Sequence, residues 1–241
     1  MKISVVVPAF NEQKLIVATL RGIQAAMTAF SDNGWETELV VCNNNSTDRT
    51  GDLAASEGAT VVFEPVNQIG RARNRGAQGA SGDWLIFVDA DSTPSRELFA
   101  DVAAEIQGGN CLAGGSTVRL DEFHFLAELL VRGWNWLSRI KKWAPGSFIF
   151  CEAAAFREVG GFSPDLYVSE EVELFQRLNA LARRRRKRVV ILHRHPLVTS
   201  SRKLHLYTAR EHIRFLANVF LRPSRTLRDS KECFTWYDGR R

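Results

Sequence analysis

Residues 84–91, Trp-Leu-Ile-Phe-Val-Asp-Ala-Asp, pass from five apolar side chains directly into two carboxylates. A short, uninterrupted apolar run is typical of a strand that is buried on both faces of a parallel sheet. Side chains at i and i+2 of an extended chain share a face, so Asp89 and Asp91 can act together. Carboxylate oxygens suit Mg2+ and Mn2+, and the pair predicts a metal site at a strand end. The same residues would also make an ordinary turn.

Three further apolar runs precede this stretch, and helical patterns separate them. Strands are predicted over residues 3–7, 38–42 and 59–63, and helices after a cap at Asn11, over 48–57 and over 70–80. This alternation predicts right-handed crossovers and an α/β fold, with a mostly parallel central sheet flanked by helices. Ligands bind such sheets at the carboxyl ends of the strands. Polar segments 9–12, 43–48 and 89–91 follow three of these strands, so we expect them to line one cleft.

The second half of the chain is less regular. Its patterns predict helices over 95–106, 122–143, 169–182 and 206–221, and strands over 111–119, 148–156 and 189–192. No repeat or flexible linker interrupts it, which favours a single domain over residues 1–221. Within that domain we expect a regular half over 1–92 and a less regular half over 93–221, followed by a basic tail over 222–241.

Composition limits the class of protein. The 241 residues are 45% hydrophobic and 24% charged, which excludes a disordered or collagen-like chain. The formal charge of +5 fits a phosphate-bearing ligand or an anionic surface. Four widely spaced cysteines indicate free thiols and neither a zinc knuckle nor a disulfide framework. Without a signal-peptide core or a spanning apolar run, a cytoplasmic location is expected.

Two charged motifs could carry chemistry. Arg71, Arg73 and Arg75 open a helix, where guanidinium groups and the helix N-terminus favour phosphate. Helical spacing puts Arg71 and Arg75 on one side and Arg73 on another, so at most two should meet one ligand. Glu170 and Glu171 open a later helix and could include a general base. The alternatives are a solvated basic face and acidic residues that merely complement the helix dipole.

Several other features are open to two interpretations. His193 and His195 follow a predicted strand and could complete a metal site or lie at the surface. Segment 200–203 could hold phosphate. The basic run 183–188 fits a solvated helix end, and the tryptophan-rich segment 126–143 fits core packing. Alternatively, both segments could contact an anionic membrane surface. Nucleic acid is not an expected partner, because no binding motif accompanies the basic residues.

Six motifs occur in order along the chain: VVVPAFNE, NNNSTDRT, GRARNRGA, FVDAD, FREVGGF and SEEVELFQRL. Together they resemble the family 2 glycosyltransferases with the GT-A fold, over roughly residues 2–203. The resemblance implies an inverting transfer from a nucleotide-diphosphate sugar, usually a UDP-sugar, to an acceptor hydroxyl, with Mg2+ or Mn2+. A lipid-linked acceptor would place the protein peripherally on the inner face of the cell membrane.

The resemblance also implies roles for individual residues. By position, the nucleoside would be bound by Pro8, Ala9, Asn11 and Glu12, with Asn44 facing uracil and Arg71 near the base or diphosphate. Asp89 would lie near the ribose and sugar, and Asp91 would bind the metal, with His193 as a candidate further ligand. Arg202 would add positive charge, and Glu171, beside Glu170, would be the base. Two positions depart from the usual pattern, since Asn43 and Glu171 stand where the family commonly has aspartate.

Two other functions remain open at this point. A nucleotidyltransferase also uses carboxylate-bound metal beside a nucleotide, although PAFNE is not the glycine-rich loop that such enzymes need. A membrane-associated protein that binds a nucleotide sugar without turnover is the non-catalytic alternative.

Overall fold

The structure is a computed structural model that describes residues 1–122, 125–202 and 227–229. In these residues eight strands and seven helices alternate. The strands are β1 Lys2–Ala9, β2 Glu36–Asn43, β3 Thr60–Phe63, β4 Trp84–Val88, β5 Ser92–Thr93, β6 Cys111–Leu120, β7 Phe148–Glu152 and β8 Arg188–Thr199. The helices are α1 Ile16–Ser31, α2 Thr50–Ser56, α3 Ile69–Gly79, α4 Arg96–Gln107, α5 Phe125–Lys141, α6 Ala153–Glu158 and α7 Glu170–Arg184.

All eight strands belong to one sheet, in the order β3-β2-β1-β4-β7-β6-β8-β5. The pairs among β1, β2, β3 and β4 are parallel, as the strand–helix alternation predicts. Strand β7 is antiparallel to both of its neighbours, β4 and β6. The two predicted halves of the chain therefore share a sheet through the β4–β7 pair, and the predicted α/β class is confirmed.

Two apolar cores cover the two faces of this sheet. One contains the buried sides of α1 and α4, including Phe30 and Phe99. The other contains the apolar side of α7, including Phe175, together with Phe87 and Phe162. Cys42, Cys111 and Cys151 are buried free thiols, in agreement with the prediction for these three cysteines.

Helix α3 lies unusually close to the centre of the sheet. Its inner side consists of small residues, and a Cβ atom added to Gly76 would lie 2.4 Å from Val6 Cγ1. Because nothing larger than glycine fits there, the N-terminus of α3 is brought down to the carboxyl ends of the central strands.

Local predictions are wrong at three places. Residues 153–156 continue as α6 and not as a strand. Asn11 does not cap α1, which begins at Ile16; instead Asn11 has a positive φ of 52°. Strand β8 extends to Thr199, so His193 and His195 lie within it and not after its end.

The predicted helix over 206–221 lies outside the described residues. Of the predicted tail over 222–241, only 227–229 are described, and the carbonyl of Leu227 accepts a hydrogen bond from the Tyr167 N–H at 2.8 Å. None of the helices in the described ranges has the length and hydropathy required to cross a membrane.

Replacing Gly76 by alanine should destabilise the protein by about 1–3 kcal/mol, because the new methyl group overlaps Val6. Urea unfolding monitored by circular dichroism measures this change. Gly133 in α5 is the matched control, since an added Cβ meets no atom within 4 Å there. Gly133→Ala should leave stability unchanged or raise it by about 0.5–1 kcal/mol. Equal effects of the two substitutions would contradict the close packing of α3.

Candidate active site

The three polar segments at the strand ends meet at one edge of the sheet. The Asn11 N–H donates to Ser46 Oγ at 3.0 Å, and Asn11 Oδ1 accepts from the Thr47 N–H at 2.9 Å. The Thr19 hydroxyl on α1 donates to the Ala90 carbonyl at 2.8 Å. The carboxyl ends of β1, β2 and β4 are therefore adjacent at one edge of the sheet.

A cavity of about 200 Å³ lies beside the end of β4. Asp89 forms one wall, and Glu170 and Glu171 at the start of α7 form another. Gly146, in the loop before β7, and Arg73 on α3 also line it, together with Ser147, Tyr167 and Ser169. Carboxylates from distant parts of the sequence thus face one small space.

Arg73 connects the walls of this cavity. It is almost completely buried; Nη2 donates to Asp89 Oδ1 at 2.9 Å and to the Gly146 carbonyl at 2.8 Å, and Nη1 donates to Glu170 Oε1 at 2.6 Å. Burial alone would lower the pKa of Arg73, but the charges of Asp89, Glu170 and Glu171 raise it above its usual value. The guanidinium group is therefore a permanent buried cation.

Glu170 and Glu171 form a coupled pair at the beginning of α7. Burial raises the pKa of Glu170, and burial together with the charge of Glu170 raises the pKa of Glu171 to about 8. The two side chains share a hydrogen bond. The N-terminus of α7 favours their ionised forms, but this stabilisation is smaller than the cost of burying two adjacent negative charges. Burial of the pair therefore disfavours the ionised form of Glu171 relative to that of an exposed glutamate.

The segment before α7 is held by α3. The Asn74 side chain bonds the N–H and the carbonyl of Phe162 at 2.9 and 2.8 Å, and Gln68 donates to the carbonyls of Pro164 and Leu166. Ser169, immediately before the helix, has a left-handed φ of 65°. A non-glycine residue adopts this conformation at an energetic cost, which the surrounding contacts must offset. The positions of Glu170 and Glu171 are thus set by α3.

Gly160 and Gly161 belong to this anchoring turn. Both have positive φ, and a Cβ atom on Gly161 would lie 2.6 Å from Asn74 Oδ1. The backbone here approaches Asn74 closely, and the two glycines form a turn beside it.

A second group of charged residues lies where β1 and β4 end. Arg202 Nη2 donates to both carboxylate oxygens of the buried Glu12, at 2.7 and 3.0 Å. Burial would lower the pKa of Arg202, but its bonds to Glu12 and the charges of Glu12 and Asp91 raise it. The Ser200 N–H donates to the Asp91 carbonyl at 3.1 Å, which fixes this end of β8 beside Asp91. Arg202 Nε is buried without a hydrogen-bond partner among the described residues.

The other predicted nucleoside-binding residues have structural roles as well. Pro8 and Ala9 are buried at the end of β1, where the Ala9 carbonyl accepts from the Asn44 N–H at 2.8 Å. Asn44 is buried; its amide group donates to the carbonyls of Glu64 and Val66 and accepts from the Gln68 N–H. Both hydrogens of the Asn44 side-chain amide thus bind the loop before α3 and are not directed into the cleft.

Arg71 and Arg73 point to different sides of α3, as their spacing predicts. Arg71 is exposed, donates to Gln68 Oε1 at 2.9 Å and lines a separate small groove with Arg75. The structure therefore places Arg73, and not Arg71, at the carboxylates.

The structure does not bring His193 to Asp91. His193 is exposed in the irregular part of β8, six residues before Thr199, which pairs with Ser92. The His195 ring is 2.9 Å from Asp101 Oδ2. Within residues 1–122, 125–202 and 227–229, no group of three or more His, Cys, Asp and Glu side chains is arranged to hold a metal ion.

Arg73 is the functional residue that sequence reasoning missed. A signal for it was present, since Arg73 lies on the side of α3 that also carries Gly70, Ala72, Gly76 and Ala77, all of them buried. An arginine on the small, buried side of a helix requires a buried carboxylate partner.

Comparison with known proteins identifies the family of this chain. Residues 4–158 match the family described as glycosyl transferase family 2, and the protein belongs to that family. An uncharacterized glycosyltransferase of Mycobacterium bovis is 30% identical over 138 residues, 57% of this chain and 55% of the relative. The dolichol-phosphate mannosyltransferase of Pyrococcus furiosus is 28% identical over 152 residues, 58% of this chain and 41% of the relative. The chain thus spans about half the length of these curated relatives.

Solved structures show the same fold. Staphylococcus aureus TarS 1–349 in complex with UDP-GlcNAc has a TM-score of 0.63 at 20% identity, over 98% of this chain and 69% of that one. Glucosyl-3-phosphoglycerate synthase from Mycobacterium tuberculosis, in complex with Mn2+, UDP and glucosyl-3-phosphoglycerate, has a TM-score of 0.61 at 21% identity, over 98% and 80%. The fold is therefore the GT-A fold, as expected from the resemblance.

Replacing Arg73 by methionine should destabilise the protein by about 3–5 kcal/mol, because Asp89 and Glu170 lose their buried counterion. Urea unfolding gives the difference. Arg71→Met removes an exposed arginine from the same helix and should change stability by less than about 0.5 kcal/mol. Should Arg73→Met not fold, Arg73→Lys keeps the charge but not the planar fork, and it should still be less stable than Arg71→Lys. Similar stabilities of Arg73→Lys and Arg71→Lys would contradict the role of Arg73 as the buried counterion of Asp89 and Glu170.

Proposed function

We propose that the protein transfers a sugar from a nucleotide-diphosphate sugar, with uridine as the nucleoside, to an acceptor hydroxyl with inversion at the anomeric carbon. One observation carries the proposal: Asp89, at the end of β4, and the pair Glu170–Glu171, at the start of α7, face the same cavity. Membership of glycosyl transferase family 2 supports it. So do the complexes of fold neighbours with UDP-GlcNAc and with UDP and Mn2+.

Glu171 is proposed as the general base. Its carboxylate would accept the acceptor's hydroxyl proton while that oxygen forms a bond to the anomeric carbon and the bond to the UDP leaving group breaks. A base must be ionised, and burial beside Glu170 disfavours the ionised form of Glu171, with its pKa raised to about 8. Transfer should therefore become faster as the pH rises and more of Glu171 is ionised. Glutamate reaches one methylene further than the aspartate usual at this position.

The donor would lie along the edge formed by β1 and β4. Asn11 and Glu12 are assigned to the nucleoside side, Asp89 to the ribose and sugar, and Arg202 to the diphosphate. The buried, unpartnered Nε of Arg202 supports the last assignment, because a phosphate oxygen could accept its hydrogen bond. Pro8 and Ala9 would form the backbone wall beside the nucleoside. Arg71 could reach the base or diphosphate only from outside the cavity of Asp89 and Glu171. Asn44 positions the neighbouring loop.

A divalent cation, Mg2+ or Mn2+, fits beside Asp91. The donor set is oxygen-rich, with a carboxylate at the strand end and the donor's phosphate oxygens, and Mg2+ is commonly bound by one or two carboxylates plus substrate phosphates. His193 has no part in this proposal because the structure leaves it away from Asp91. When bound, the cation would neutralise charge on the leaving diphosphate.

Asp91→Asn should abolish the ability of Mn2+ to strengthen UDP binding. Glu171→Gln should leave UDP binding intact but lower the turnover rate, measured as UDP formed from a UDP-sugar, about 100- to 10,000-fold. Calorimetric titration of UDP with and without Mn2+ measures binding, and product analysis measures release from UDP-sugars. Asp52→Asn, on the exposed side of α2, is the matched control. Full turnover in Glu171→Gln would refute the base assignment. Release of pyrophosphate from UTP and a sugar 1-phosphate, with no release of UDP from UDP-sugars, would indicate nucleotidyl transfer instead.

The pH dependence of transfer should identify the coupled pair. Activity that requires ionised Glu171 rises with pH, and kcat/KM, which reports the free enzyme, should have its acid limb near pH 8. Glu170→Gln removes the neighbouring negative charge, which lowers the pKa of Glu171 and moves this limb to lower pH. Glu173→Gln, one turn along α7 and paired with Arg177, is the control and should leave the limb in place. An unshifted limb in Glu170→Gln would contradict the coupling.

A further inference from the structure

Helix α5 carries large apolar side chains on the side that faces away from the protein. Trp136 is 66% exposed and Phe125 is 65% exposed. Ser138 and Ala127, on the other side of the helix, are buried. At about 100° per residue, four exposed apolar residues fall within a sector of about 60°. We name them the α5 stripe: Phe125, Leu129, Trp136 and Ile140. Because α5 already buries its opposite side, the α5 stripe is a second apolar surface.

Cations border the α5 stripe. Arg132 and Arg139 lie within about 40° of one edge, and both are exposed. Arg132 is 3.6 Å from Glu128 in a loose ion pair. Lys141 and Lys142 follow Ile140 at the end of the helix and are also exposed. The surface is thus apolar along its middle and positively charged at its margins.

A cavity of about 600 Å³ lies beside the C-terminal end of α5, between it, α7 and the start of β8. We name it the basic cavity, after the cations in its lining: Lys141, Lys142, Arg183, Lys187 and Arg188. Two of them have acidic partners outside the lining, since Lys187 pairs with Glu152 and Arg188 with Glu105. No Asp or Glu occurs in the lining that the described residues form. A cavity of this composition favours an anionic ligand.

We propose that the α5 stripe and the basic cavity form one docking surface for an anionic lipid bilayer. Aromatic and aliphatic side chains flanked by arginine and lysine suit the boundary between headgroups and acyl chains. The basic cavity then takes lipid phosphate groups, and Trp143 on its wall suits the same depth. An aqueous polyanion would use the cations but not the stripe, and a purely apolar partner would use the stripe but not the cations. A bilayer accounts for both features.

The position of this surface relates it to the candidate active site. Trp143 lines the basic cavity, and Gly146, three residues later, lines the cavity of Asp89 and Glu171. Three residues span at most about 11 Å. A docked bilayer would therefore bring a lipid-borne hydroxyl within reach of Glu171. This last step rests on the proposed function, whereas the docking surface does not.

Co-sedimentation of the full-length protein with vesicles at low salt tests the proposal. We expect binding to phosphatidylcholine vesicles that contain about 30% phosphatidylglycerol, weak binding to phosphatidylcholine alone, and loss of binding as salt rises. Trp136→Gln with Ile140→Gln should reduce the partition coefficient at least fivefold. Lys141→Glu with Arg183→Glu should reduce it on the order of tenfold or more and remove the preference for anionic lipid.

The controls use exposed residues elsewhere on the protein. Phe63→Gln, on β3 at the opposite edge of the sheet, matches the change at Trp136, and Arg157→Glu on α6 matches the charge reversals. Both should change vesicle binding less than twofold. Calorimetric affinity for UDP should be the same in all variants, which separates failure of docking from failure of the nucleotide site.

Three results would overturn the proposal. The first is wild-type protein that stays in the supernatant with anionic vesicles at low salt. The second is a lipid-free dimer that Trp136→Gln dissociates, since a second copy would then cover the α5 stripe. The third is a Trp136 whose fluorescence, obtained by difference from Trp136→Phe, is shielded from acrylamide without lipid, since another segment of the chain would then occupy the surface.

Discussion

A positive charge that cannot be neutralised lies in the interior of this protein, at Arg73. Guanidinium keeps its proton at any physiological pH, and burying it is costly unless acceptors and opposite charges compensate it. Asp89 from β4, Glu170 from α7 and the Gly146 carbonyl accept hydrogen bonds from Nη1 and Nη2, whereas Nε has no partner among the described residues. Three segments that are far apart in the sequence are thereby held at fixed distances around one cation. The close approach of α3 to the sheet at Gly76 is what carries Arg73 to this position.

The electrostatics of the candidate site follow from this arrangement. Arg73 compensates Asp89 and Glu170 through direct hydrogen bonds, whereas burial and the charge of Glu170 raise the pKa of Glu171. A base accepts a proton only in its ionised form. The proposed transfer therefore depends on the ionisation of this buried pair.

A second charged group, formed by Arg202 and Glu12, lies apart from the cavity of Glu171. Arg202 neutralises the buried Glu12 next to Asp91, at the end of the strands and not in the cavity of Glu171. Charges assigned to the leaving group and charges assigned to the acceptor therefore lie on neighbouring but distinct surfaces. The loop over residues 143–146 links the acceptor side to the basic cavity beyond α5.

The sequence by itself determined the strands of the parallel half and the place where chemistry can occur. A run such as Trp84–Val88 can only be a strand buried on both faces, and the structure gives it the same limits. Polar segments after such strands meet at one edge because parallel strands end on the same side. Tertiary structure alone decided which arginine reaches the carboxylates, that Asn44 binds its own loop, and that His193 stays outside. The physical reason is that burial and partner choice depend on contacts between residues such as Arg73 and Glu170, 97 positions apart, and local pattern contains no information about them.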